Sequence, residues 1–488
     1  MDNRQLSMTQ AFISRPMKLS FKAMLAFLLW TLPTLLIGWG CQKPPATTTA
    51  RDVGKESQQK SKTDGVIGKV EIHCPPRNSG FFWSACEKTR QNADQGDVIA
   101  LNDGDPHPQR PTVTYLYKGE KEIVWDAKEG AIVVNREVVG VVLSELAEEQ
   151  AVTLVRKHCN KIQTVVWKGG NTLSRGVLEE IGRCSQNVEG LSLNLEGFNG
   201  EEKKLAELER LAPKLIHLSL KNADVGDDSI KHLSGLANLR ALSLMETAVG
   251  DDGLKHLSGF ANLRVLVLPS TVTNEGIKHL SKNANLKKLD LGSTEVGDDG
   301  LKHISGFANL RVLVLPPRVG DVGMKHLFRL ANLRELDLGQ TQVGDEGLKS
   351  LSGLAKLAVL NLMETKVGNE GLKHLSGLAN LRALNLPTKV GDEGLKHLSG
   401  LANLRALNLR GAQVGSDGLK HLSRLGNLRK LILSSTKVGD SGLKHLFELK
   451  NLRILEAVAT EITEQGAGTL KSKLSVRVVL YECHDEEQ

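Results

Sequence analysis

The feature that most constrains this chain is self-similarity. The segment NLRALSLMETAVGDDGLKHLSGFA begins at Asn238 and returns with small changes at Asn262, Asn285, Asn309, Asn332, Lys356, Asn380, Asn403, Asn427 and Asn451. An earlier copy begins at Lys214, and looser ones at Asn187 (NVEGLSL), Lys161 (KIQTVVW) and Arg136 (REVVGVVL). A spacing of 24 or 23 residues is the signature of an array in which each unit packs on the next. The aromatics agree: every Trp lies at or before Trp167, and the three Tyr are Tyr115, Tyr117 and Tyr481. Several compact enzyme domains are rarely built without either residue over so long a stretch.

The consensus LxxLxLxxTxVGDxGLxxLxxL can be read physically. Leu239, Leu242 and Leu244 give the alternation of a strand with one buried face. Val249 is buried, Gly250 permits a sharp turn, and Asp251 suits the cap of a short helix. Leu254 and Leu257 face inward from that helix, and Gly259 ends it. One unit cannot cover its own apolar face, so neighbours must stack. The expected fold is an α/β solenoid over residues 131–472, with a parallel sheet on the concave side and short helices on the convex side. Residues 473–488 add a closing strand and tail.

These copies resemble leucine-rich-repeat proteins, specifically those reading LxxLxLxxC/TxVTDxGLxxL, as in F-box adaptor arrays and bacterial exported proteins. Thr247, Thr294, Thr341, Thr365 and Thr436 stand where the eukaryotic version has cysteine. The resemblance implies recognition of a partner, usually a protein, on the concave sheet; no cofactor is expected.

Ahead of the array, residues 1–41 read as an export leader: a basic flank (Arg15, Lys18, Lys22), then uncharged AMLAFLLWTLPTLLIGWG, then Cys41. This resembles a bacterial lipoprotein signal, in which Cys41 would be acylated and tether the protein to the membrane. Gly38 and Trp39 depart from the usual residues there, and a plain cleaved leader or an uncleaved anchor is the alternative. Residues 42–64, rich in Pro, Thr, Ser, Gln and Lys, read as a linker. Residues 65–130, with TVTYLYKG and KEIVWDA as strands, read as a small β-rich N-terminal cap. An exported chain permits bridges Cys74–Cys86 and Cys159–Cys184, with isolated buried thiols as the alternative.

HExxH, GxSxG, a P-loop and CxxC are all missing from the sequence, so a non-enzymatic role is expected. Lys+Arg 63 against Asp+Glu 56 is too near balance to imply dedicated nucleic-acid binding. Three repeated columns remain. His232, His256, His279, His303, His326, His374, His397, His421 and His445 share one position; metal wants converging ligands, and helix-dipole complementation by Asp251 with Lys255 and His256 is the simpler account. A basic column comprises Arg240, Arg264, Lys287, Arg311, Arg334, Arg382, Arg405, Arg429 and Arg453, interrupted by Ala358. It is expected on the sheet edge, as a candidate site for an anionic glycan or as a solvated ladder.

The third column is the concave face. Most repeats place small or polar residues there (Ser219, Ala241, Ser243, Asn361, Asn385, Asn408), but Val265, Val267, Val312 and Val314 flank Lys288 and Asp290. With Leu266 and Leu313 buried, alternation turns the four valines outward. Pro269, Pro316 and Pro387 follow the strands of the 23-residue copies, where loss of a donor should alter sheet edge and loop. The expectation is a protein-binding scaffold of the bacterial envelope using this valine patch, with a glycan on the basic edge as the alternative.

Overall fold

A computed structural model describes residues 141–480 except 144–145, 160, 168–173 and 200–202, together with the backbone of strand segments between 99 and 140. The leader, Cys41, Cys74, Cys86 and most of the expected cap lie outside the described residues. A pair of antiparallel strands, β1 (Ile99–Asn102) and β2 (Thr114–Tyr117), stands apart from the main sheet. That sheet opens with β3 (Ile123–Asp126), β4 (Ala131–Val134) and β5 (Glu137–Val142), joined antiparallel.

From β5 onward every pairing is parallel and follows chain order. The strands are β6 (Thr164–Val166), β7 (Leu191–Asn194), β8 (Leu215–Ser219), β9 (Ala241–Ser243), β10 (Val265–Val267), β11 (Lys288–Asp290) and β12 (Val312–Val314). They continue through β13 (Glu335–Asp337), β14 (Val359–Asn361), β15 (Ala383–Asn385), β16 (Ala406–Asn408), β17 (Lys430–Ile432), β18 (Ile454–Glu456) and β19 (Arg477–Val479). Each pairs only with its neighbours in sequence, so the sheet is a ladder with two ends. A leucine-rich-repeat solenoid is the result: parallel sheet on one side, short helices on the other.

Within a repeat the consensus leucines do what their spacing predicts. Leu239, Leu242, Leu244, Val249, Leu254 and Leu257 are all at most 1% exposed, and their equivalents stay buried copy after copy. Near the start, α1 (Glu148–Lys157) and α2 (Arg175–Cys184) have 10 residues each, as does the last helix, Glu464–Lys473; those between are shorter. A disulfide joins Cys159 to Cys184 beside α1 and α2, which closes a 25-residue separation and is worth about 3 kcal/mol by loop entropy.

Two local readings are corrected. The residue capping the helix Asp251–Leu254 is Gly250, and Asp251 is its first turn. The Asp251 carboxylate instead reaches the next copy, where it accepts the Thr273 N–H at 2.8 Å. Asp298, Asp321, Asp345 and Asp392 likewise accept from Gly320, Gly344, Gly368 and Gly415 at 2.7–2.8 Å. The glycine that steric demand fixes is therefore not Gly250 but Gly253 and its equivalents. A Cβ at Gly347 would lie 2.5 Å from the Asp321 carboxylate. Gly259 ends the helical run Lys255–Gly259 as expected, without a positive φ.

The other seams are also polar. Asn262, Asn285, Asn332, Asn403 and Asn427 each donate through Nδ2 to a carbonyl of the preceding copy at 2.9–3.0 Å. Thr247, Thr294, Thr341, Thr365 and Thr436 are buried and bond the carbonyl three residues back. In several 24-residue copies the residue before this Thr is left-handed, as at Glu246 (φ 59°), Gln340 (φ 64°) and Glu364 (φ 57°). The proline copies are one residue shorter at that point and lack it. The loop therefore changes as expected, but the sheet does not: β10 and β12 keep full register with both neighbours.

Candidate functional site

Short strands in unbroken register turn the sheet face into two columns. One runs Ala241, Val265, Lys288, Val312, Glu335, Val359; the other runs Ser243, Val267, Asp290, Val314, Asp337, Asn361. Val265, Val267, Lys288, Asp290, Val312 and Val314 thus lie side by side, about 4.8 Å from rung to rung. The valines are half-buried, while Leu266 and Leu313 beneath them are fully buried.

The structure adds members that the sequence reading missed. Glu335 and Asp337 on β13 sit directly against Val312 and Val314, and Val359 with Asn361 on β14 follows them. Asp337 is 6% exposed; its Oδ1 accepts from Asn361 Nδ2 at 2.7 Å and from Gly339 N at 2.8 Å. Burial pushes its carboxyl up to about 6, helped by the charge of Asp290, against the pull of those two donors. The signal for it lay in the register: one position of each strand, compared across copies, reads Val, Asp, Val, Asp, Asn.

The basic column lies immediately before the first column. Arg240, Arg334, Arg382, Arg405, Arg429 and Arg453 are exposed, whereas Arg264, Lys287 and Arg311 are half-buried. Backbone bonds bind the row together: Arg264 N donates to Arg240 O at 2.7 Å, and Arg311 N to Lys287 O at 2.7 Å. Partial burial, then the like charges of Arg382 and Arg429, lower the proton affinity of Arg405.

The histidine column is half-buried along the helix side. Burial, followed by the charges of Lys302 and Lys278, lowers His303. These rings do not converge as ligands. Among the described residues the acidic, thiol and imidazole groups close enough to share an ion are Cys159, Glu180 and Cys184, two of which form the disulfide. Among the described residues, no helix is long and apolar enough to cross a membrane.

Family comparison agrees with the repeat geometry. The family described as a leucine-rich-repeat region matches residues 297–484, and a second, described as a leucine-rich repeat, matches residues 282–305. Residues 282–484 are thus leucine-rich repeats. Among solved structures it is similar to an internalin of Listeria monocytogenes, with 20% identity, TM-score 0.50, and coverage of 68% of this chain and 89% of that one. A leucine-rich-repeat protein of Leptospira interrogans has 19% identity, TM-score 0.43 and coverage of 68% and 92%. A TLR13–ssRNA13 complex has 21% identity, TM-score 0.45 and coverage of 66% and 47%. No curated protein matches the sequence.

Proposed function

We propose that this protein is an exported, non-enzymatic scaffold of the bacterial cell envelope that recognises a protein partner through the sheet face at β10–β14. A leader ending at Cys41 would supply export and a lipid anchor. The observation that carries the reading is the alternation on adjacent strands: a valine pair, then Lys288 and Asp290, then a valine pair, then Glu335 and Asp337. Apolar area rimmed by opposite charges is the composition of a contact site. The fold itself does not call for valine there, because Ala241 and Ser243, or Ala406 and Asn408, serve at the same positions.

Covering the remaining exposed part of each valine contributes about 1 kcal/mol at ~25 cal/mol per Å². Val267→Ser combined with Val314→Ser, the residue that Ser243 already supplies in this column, should leave the thermal midpoint nearly unchanged and weaken capture of the envelope partner about tenfold, or ~1.4 kcal/mol. Crosslinking and pull-down from the native envelope would identify that partner. Undiminished capture by a folded double variant would place the contact elsewhere.

A further inference from the structure

The basic column is not uniform, and its C-terminal stretch differs from the rest. Arg382, Arg405, Arg429 and Arg453 occupy four consecutive copies without interruption, all exposed. Their backbones form a continuous chain: Arg405 N to Arg382 O at 2.7 Å, Arg429 N to Arg405 O at 2.7 Å, and Arg453 N to Arg429 O at 2.8 Å. The guanidinium-bearing residues are therefore held in one line at the strand spacing of about 4.8 Å.

No carboxylate among the described residues pairs with Arg382, Arg405 or Arg429. Their neighbours on the sheet face are Ala383, Ala406 and Lys430. Lys430 already holds the buried Glu456 at 2.7 Å. Arg453 alone bends back, donating to the Lys450 carbonyl at 3.2 Å. The N-terminal stretch is different: Glu335 follows Arg334 directly in sequence, and Asp290 and Asp337 lie on the same face.

The lysines of the helix side show that this chain can neutralise a cation when it does so. Lys255, Lys349, Lys373 and Lys396 each have an acid three residues earlier within ion-pair reach. Like charges set in a row without a counterion repel; burial first, and the charges of Arg382 and Arg429 second, lower the proton affinity of Arg405. A row of this kind is complementary to a ligand that carries its own row of negative charge.

We infer that Arg382, Arg405 and Arg429, continued by Arg453, form a binding strip for a linear polysaccharide bearing carboxylate or sulfate groups. A guanidinium fork grips either group bidentately, and an extended sugar chain brings charge repeatedly to one line. A single-stranded nucleic acid is disfavoured, because it needs aromatic platforms for its bases and the facing positions of β15–β18 are Ala, Asn, Lys, Ile and Glu. An extended acidic peptide alternates its side chains, so those on one side recur at about 6.7 Å and drift out of step with the arginines.

The test uses the full-length chain with heparin for sulfate and polygalacturonate for carboxylate, in affinity electrophoresis and calorimetry. Arg405→Gln with Arg429→Gln keeps the alkyl stems and should lose tenfold or more in affinity for at least one of the two polymers. Binding should also become less sensitive to salt. Lys373→Gln with Lys396→Gln, on the helix side, should bind like the parent. Replacing both arginines by lysine should restore part of the loss. Equal affinity of parent and arginine variant, equal losses from both pairs, or tighter binding of polyadenylate or polyglutamate than of either polysaccharide would overturn the inference.

Discussion

Each copy of the repeat places charge on two sides and handles it in opposite ways. On the helix side, Lys349 meets Glu346 three residues away at 2.5 Å, with both side chains more than half in solvent. On the sheet side, Asp337 is buried against valines and Arg405 has no acid beside it. Only the second arrangement leaves electrostatic free energy unspent in the folded chain. Solvated pairs on the helix side are worth little and could be copied without consequence. Charges on the sheet side differ from copy to copy, and that variation is what a partner can read.

The two sides should respond to pH with opposite sign. Asp337 titrates near 6 when folded and near 3.9 when unfolded. Its contribution to stability is therefore best at low pH and is lost as pH rises from about 4 to about 6. Hydrogen bonding and the charge of Lys349 hold Glu346 below its ordinary value, so its small contribution is present at neutral pH and lost on acidification. Asp337→Asn, which keeps one oxygen for Gly339 and Asn361, should raise stability at neutral pH by on the order of 2 kcal/mol. It should also flatten the profile between pH 4 and 6, roughly the window set by these values. Thermal melts across that range would show it, and an unchanged slope would mean that Asp337 is not buried as drawn.

A smaller effect is expected at the seam between copies. Asp345→Ala removes the acceptor of the Gly368 N–H and should cost about 1–2 kcal/mol in denaturant unfolding. If that variant is as stable as the parent, water serves the amide equally well and the seam is not stapled. At the bottom of the scale, Lys349→Gln should not move the thermal midpoint measurably. A clear drop there would erase the contrast between the two sides.

The array and the strand register were legible from the sequence because both are periodic and local. Leu266 and Leu313 inward with Val265 and Val314 outward follows from alternation alone. The role of Asp251 was not legible, since a residue ahead of a short apolar run looks the same whether it caps its own helix or reaches a neighbour. Stacking decides that, and stacking is not local. Glu335 and Asp337 were missed for a related reason. They lie two copies beyond Lys288 and Asp290, with the β12 valines between, and only in-register pairing makes the four one surface. The basic column was visible as a column, but whether a carboxylate on a neighbouring copy reaches it depends on side-chain placement, as the pairing of Glu456 with Lys430 shows, and that has no signature in the spacing.

The carboxylate-to-amide seam gives the array a direction. Each copy supplies an acceptor forward and a donor backward, so any whole period can be joined to any other without leaving either group unmatched. Removing residues 333–356, one complete period from Leu333 to Lys356, would bring Asp321 opposite Gly368 in place of Gly344 and preserve the joint. Removing half as many would not. Length in this protein is thus a quantity that can change in whole steps while every interface stays chemically the same. The face where copies differ can therefore be lengthened, shortened or re-spaced without the rest of the molecule having to adapt.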